Sequence, residues 1–165
     1  MQENRIPGQK PQAIPVYDAG VCSHMVERTL IDHYKNSPFR GVVQKAGWQV
    51  HVRNRSCGDA ITLTALINPQ GTIEDMRFEA KGCFYCQASA SIACAVLAGS
   101  TTNEAKALSA LVRRWLAGEQ NIEADPRLKA VLPLDEVRQY PMRVACADLA
   151  WKGVEQLIDS GKVKG

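Results

Sequence analysis

The chain has 165 residues, 45% of them apolar and 22% charged, with a formal net charge of +3 and six cysteines. That length supports one domain with its own core and is short for two. Lysines and arginines alternate with acids, which argues against a nucleic-acid partner, and no run reaches the roughly 18 apolar residues that a membrane span needs.

Residues 1–22 carry Pro7, Gly8, Pro11, Pro15 and Gly20 and no apolar signal core, so they are expected to form a flexible tail ahead of one domain over 23–165. The expected location is cytoplasmic. There, cysteines stay reduced and are better read as metal ligands or reactive thiols than as disulfides. Cys22, at the edge of the tail, is given no role. A first helix is expected from Ser23, a candidate cap, through Met25, Leu30 and Ile31 towards Tyr34, stopped by Pro38 and Gly41.

Three runs then alternate with period two: Trp48, Val50 and Val52; Ile61, Leu63, Ala65 and Ile67; Met76, Phe78 and Ala80. Each is a strand with one buried face. Asn68-Pro69-Gln70-Gly71 is a turn sequence, and the link Asn54 to Asp59 is short, so the strands are expected to form an antiparallel meander. From Cys83 to Leu97 the pattern is helical. Thr101-x-x-Glu104 is a capping box for a helix with Leu108, Leu111, Val112 and Trp115 on one face and Gly118 as its stop. Asn121 to Pro133 reads as a proline-interrupted connection. A last helix is expected from about Val144, carrying Ala147, Ala150, Trp151, Val154, Leu157 and Ile158, and ending at Gly161. Strands in one block and helices in another give an α+β fold, with helices packed on one face of a three-stranded antiparallel sheet.

Cys57-Gly58-Asp59 lies in an inter-strand loop where glycine lets two side chains turn to one point. Cys83 falls at a strand-to-helix junction and Cys146 near the start of the last helix, where partial positive charge favours thiolate. Three cysteines and an aspartate would supply four donors for a tetrahedral ion, and zinc suits them. The carboxylate suggests a site meant to open. Spacing alone fits equally well with three unrelated core cysteines and a turn-forming aspartate.

The sequence resembles the NifU/IscU-type iron–sulfur cluster assembly proteins, most closely the SufU branch. The matching residues are Asp32-His33-Tyr34-Lys35-Asn36, Gly41-Val42, Asn54-x-Ser56-Cys57-Gly58-Asp59, Gly82-Cys83 with Ala88-Ser89-Ala90-Ser91, and Pro141-x-Arg143-x-x-Cys146-Ala147-x-Leu149-x-Trp151. They occur in order over roughly residues 25 to 158. The 62 residues between Cys83 and Cys146, and Arg143 where scaffolds commonly carry histidine or lysine, are the features shared with SufU. The resemblance implies a SufE/NifU/IscU-like fold and a zinc ion held by Cys57, Asp59, Cys83 and Cys146. It implies sulfur transfer to Cys57 from a pyridoxal-phosphate cysteine desulfurase of the SufS type, with downstream iron–sulfur assembly components as further partners. Arg143 would support the anion. Such a chain is a sulfur acceptor and desulfurase activator rather than a stand-alone enzyme. The alternative is a scaffold on which Cys57, Cys83 and Cys146 hold iron as a [2Fe–2S] cluster.

Cys86 departs from the family pattern. At i+3 from Cys83 it is read as a small buried side chain, with an auxiliary ligand or relay thiol as the other options. Cys94 lies about 16 Å along the helix from Cys83 and belongs to the core. His33 is read as a packing residue, and His24 and His51 as surface. Arg55 stands where relatives usually have proline. Phe84-Tyr85 make the site rim more apolar. A thiol oxidoreductase using Cys83-x-x-Cys86 would leave Cys57, Asp59 and Cys146 unexplained. A purely structural zinc adaptor would require the domain to unfold on metal removal.

Overall fold

The structure is a computed structural model that describes residues 23–119 and 126–162. The expected tail, Cys22 and the side chains of Ser23, His24 and Met25 lie outside the described residues. Helix α1 (Ser23–Lys35) leads into strands β1 (Trp48–Arg53), β2 (Ala60–Ile67) and β3 (Ile73–Lys81), then α2 (Phe84–Leu97), α3 (Thr102–Leu116), a 3₁₀ segment (Pro126–Gln139) and α4 (Pro141–Ser160).

The sheet is the expected meander, in the order β1-β2-β3 with both pairs antiparallel. Val50 pairs with Leu63 and Leu63 with Phe78; Val52 pairs with Ile61 and Ile61 with Ala80. These register partners point to one side and form the face that the helices cover. Helix α4 lies so close to that face that a Cβ on Gly153 would stand 3.1 Å from the side chains of Val52 and Leu63. At the β2–β3 turn, Gly71 takes a φ of +83°, a left-handed conformation that glycine adopts without steric cost. Both sheet edges are occupied. The Gln49 N–H donates to Gly161 O on one side, and Phe39 and Gly41 bond to the backbone of Phe78 on the other, which leaves less open edge for foreign strands.

Helix α2 is almost wholly buried, and its small residues Ala88, Ser89, Ala90 and Ser91 let neighbours approach. Its buried hydroxyls are satisfied. Ser89 donates to Ala147 O (2.7 Å) and accepts from Trp151 Nε1 (3.0 Å). Ser91 bonds both His33 Nδ1 (2.8 Å) and Ser37 (2.6 Å). The capping box of α3 is formed in full by Thr101 and Glu104.

Two expectations are corrected. The stretch read as a connection is, from Pro126 on, a 3₁₀ segment packed into the core. Leu128, Val131, Leu134 and Val137 are buried at every third position, which is the face that three residues per turn create. Helix α4 starts at Pro141, three residues before the expected start, because proline at the first helical position needs no N–H partner and brings its φ ready-made.

His33 is buried, as a packing residue should be, and burial pushes its pKa down to about 4. The neutral ring is therefore built into the fold. The unfolded chain binds the proton at higher pH than the folded one, so the contribution is complete above pH 6.5 and falls away between pH 6.5 and 4, by up to roughly 3 kcal/mol. Urea unfolding at pH 7 and pH 4.5 is expected to show this loss in the native chain and a smaller one in a His33→Gln variant.

Candidate metal and sulfur site

The loop after β1 is shaped by its own backbone. Asn54 N–H donates to Asp59 O (2.8 Å), Gly58 N–H donates to Asn54 O (2.9 Å), and the Asn54 side chain accepts from Ser56 N–H (3.1 Å). Closing so tight a loop puts Gly58 at a φ of +77°, the left-handed region that disfavours side chains. On either side of it, Cys57 stays exposed while Asp59 turns inward to 3% exposure.

Asp59 is the centre of the arrangement. Its Oδ1 accepts from Cys83 N–H at 3.1 Å, and its Oδ2 lies 3.7 Å from Cys83 Sγ. Cys83 is the N-cap residue of α2 and makes no side-chain cap bond, so the carboxylate itself meets the electropositive helix end. Cys57 Sγ and Cys146 Sγ are 3.6 Å apart, and donor atoms of Cys57, Asp59 and Cys146 all lie within 4.8 Å of one another. Cys83 joins this trio through Asp59. The four residues come from the β1–β2 loop, the β3–α2 junction and the second turn of α4. Together with Gly58, Lys81, Gly82 and Arg143 they line an open cleft of about 420 Å³.

Burial alone would raise the Asp59 pKa, but hydrogen bonds from Cys146, Cys57 and Cys83 outweigh it and hold the carboxyl below its usual range. Cys146 moves the other way. Burial, then the hydrogen bond to Asp59, pushes its thiol up. The expected thiolate bias from a helix start is not met at Cys146, because α4 begins at Pro141 and leaves the cysteine on the second turn, 1% exposed and bonded to Met142 O (3.7 Å). A cation among these donors would reverse that bias. The donor set of soft sulfurs and one carboxylate oxygen fits zinc or iron.

Cys86 and Cys94 are both fully buried. Burial raises both thiols, with Asp59 the next contributor at Cys86. Cys94 is core as expected. Cys86 lies outside the Cys57–Asp59–Cys146 trio. Arg143 is exposed on the cleft, and Arg55 and His51 face solvent. Phe84 sits between Tyr34 and Tyr85, tilted to the first and edge-on to the second, with centroids 5.2 Å apart on each side, and Tyr85 donates to Glu136 at 2.8 Å.

Sequence reasoning gave no role to Lys81 or Gly82. The signal for Gly82 was its place directly before Cys83. A Cβ there would stand 2.6 Å from Asp59 Oδ1 and 2.8 Å from its Cγ, so only glycine leaves room for the carboxylate.

The family model for the NifU-like N-terminal domain matches residues 25–147. The iron–sulfur cluster assembly scaffold protein IscU of Thermotoga maritima is 32% identical over 138 residues, 84% of this chain and 95% of that protein. The zinc-dependent sulfurtransferase SufU of Bacillus subtilis is 30% identical over 132 residues, 80% of this chain and 88% of that protein. Among solved structures, a putative iron–sulfur cluster assembly scaffold for the SUF system from Fervidobacterium islandicum superimposes with a TM-score of 0.68 at 30% identity, covering 83% of this chain and 99% of that one.

A Gly82→Ala variant is expected to keep the fold and to displace Asp59. Its affinity for added zinc, measured by chelator competition, should fall about tenfold or more, with a far-ultraviolet circular dichroism spectrum like that of the native chain.

Proposed function

The chain belongs to the family of NifU-like N-terminal domains, and on that premise we propose that it serves iron–sulfur cluster assembly as a zinc-dependent sulfur acceptor, with Cys57 as the accepting thiol. The observation that carries this reading is the contrast within the cluster. Cys57 is exposed on a glycine-hinged turn, whereas Asp59 and Cys146 are buried and Cys83 is partly so. One donor faces arriving chemistry, and three form its floor. Cys57, Asp59, Cys83 and Cys146 would hold the zinc ion, whose charge keeps the coordinating sulfurs as thiolates when it is bound.

The sulfur comes from a protein persulfide, R–S–SH, on a pyridoxal-phosphate cysteine desulfurase. Cys57 reacts as its thiolate: its Sγ bonds to the terminal sulfur, the S–S bond of the donor breaks, and the electron pair leaves on the donor's inner sulfur, which departs as a thiolate and takes a proton from solvent. The products are Cys57–S–SH and the donor thiol. Asp59 stays charged beside the reacting sulfur, fixed by the Cys83 N–H. Arg143 lines the same cleft and offers a cation to the persulfide anion. The name of the B. subtilis relative, a zinc-dependent sulfurtransferase, supports this reading. Further iron–sulfur assembly components would receive the sulfur.

A second reading rests on the same donors and on the T. maritima relative's name as a scaffold: the cleft, with three sulfurs converging on it, holds a [2Fe–2S] cluster as cargo. Colour separates the two. A colourless protein carrying one zinc supports the acceptor, and a brown one that passes its cluster to an apo-protein supports the scaffold.

A Cys57→Ser variant is expected to lose persulfide acceptance from a cysteine desulfurase, read by intact mass as the absence of an added sulfur atom, while retaining part of its metal. Acceptance at the native rate would assign the role to another thiol.

A further inference from the structure

The exposed groups around the cleft have a chemistry of their own. Arg53 closes β1 and pairs in register with Ala60, which pairs with Lys81 at the end of β3. Register partners share a face and strands lie about 4.8 Å apart, so Arg53 and Lys81 flank the Cys57 loop across one end of the sheet. Arg55 stands in that loop, and Arg143 on α4 lines the cleft together with Lys81. All four are exposed. None of their side chains makes an ion pair or hydrogen bond among the described residues, whereas Arg77, Arg113, Arg114 and Arg138 are each paired with acids. The nearest exposed acid on that strand face is Glu79, two positions from Lys81. Beside Arg143 at the start of α4, Met142 is 86% exposed and Tyr140 is 53% exposed, the two most exposed of the large hydrophobic side chains among the described residues. Met, Tyr and Arg are the residue types that anchor interfaces.

We propose that Arg53, Arg55, Lys81 and Arg143, with Met142 and Tyr140, form the surface that receives the persulfide-carrying protein. That partner's docking face is acidic around its reactive cysteine, with an apolar pocket for Met142. The inference rests on the sulfur-acceptor reading and adds the partner's chemistry to it. The cations steer and orient the encounter, and Met142 supplies contact that salt does not screen.

The test measures the Kd of the full-length, metal-loaded protein for a purified cysteine desulfurase of the same organism. Raising salt from about 50 to about 300 mM is expected to weaken binding about tenfold. The double variant Arg53→Glu with Lys81→Glu should weaken it at least as much at low salt and flatten the salt dependence, with the milder Arg53→Gln with Lys81→Gln pair in between. Met142→Ala should weaken binding about tenfold at either salt concentration. A control with the same change in net charge, Lys106→Glu with Lys152→Glu on α3 and α4, should leave Kd within about twofold. Native-strength binding by both sheet-end pairs and by Met142→Ala overturns the docking surface while leaving the acceptor reading in place, provided Cys57 still takes up sulfur. Failure of the native protein to bind the desulfurase or to take sulfur from it overturns both. Retention of a DNA duplex with an affinity above that for the desulfurase, lost in the Arg53→Glu/Lys81→Glu variant, reassigns the surface to nucleic acid and overturns the proposal.

Discussion

A carboxylate taken out of water must be surrounded by donors or lose its charge. At Asp59 the donors are a helix-capping N–H and the sulfurs of Cys57, Cys83 and Cys146. Three segments far apart in the chain meet there: the β1–β2 loop and α4 each offer one of those donors and the β3–α2 junction offers two. The meeting also depends on two glycines. Gly58 lets Asp59 turn inward while Cys57 stays outside, and Gly82 leaves room for the carboxylate against the β3–α2 junction.

The rest of the fold holds that junction in place. The β1–β2 loop and the end of β3 are brought to the same end of the sheet by the register Arg53–Ala60–Lys81. Helix α4 crosses the inner face so closely that a Cβ at Gly153 would stand 3.1 Å from the side chains of Val52 and Leu63. Its N-terminal half then carries Cys146 and Arg143 to the cleft. The hydrogen bonds Trp151–Ser89–Ala147 tie α4 to α2, so the two helices that contribute Cys83 and Cys146 cannot slide independently. Cys146 sits on a helix, Cys83 caps one, and Asp59 is pinned by the Cys83 N–H, while a turn carries Cys57, an arrangement that suits a site whose exposed thiol must meet a partner.

The sheet and the helices α1 to α3 were legible because alternation and capping are local signals. Thr101 and Glu104, three positions apart, carry their own instruction. The 3₁₀ segment was not legible, since its apolar residues Leu128, Val131, Leu134 and Val137 repeat every three positions and match neither the strand nor the α-helix period. Proline at 126 and 133 made the stretch read as a connection. The site was legible only through the ordered motifs. Cys57 and Cys146 stand 89 positions apart, and no spacing rule joins them. The steric demand at Gly82 and the exposed cations at the end of the sheet are three-dimensional facts. Lys81 was just the polar half of an alternating strand until register placed it beside the Cys57 loop.

At the centre of the proposed chemistry, three sulfurs and one carboxylate oxygen bind a common cation. X-ray absorption at the metal edge of the protein as purified tests it most directly. The expected spectrum shows three sulfurs at about 2.3 Å and one oxygen at about 2.0–2.2 Å around the metal, with one sulfur lost in Cys57→Ser. A shell of light atoms alone, or one unchanged by Cys57→Ser, would contradict it.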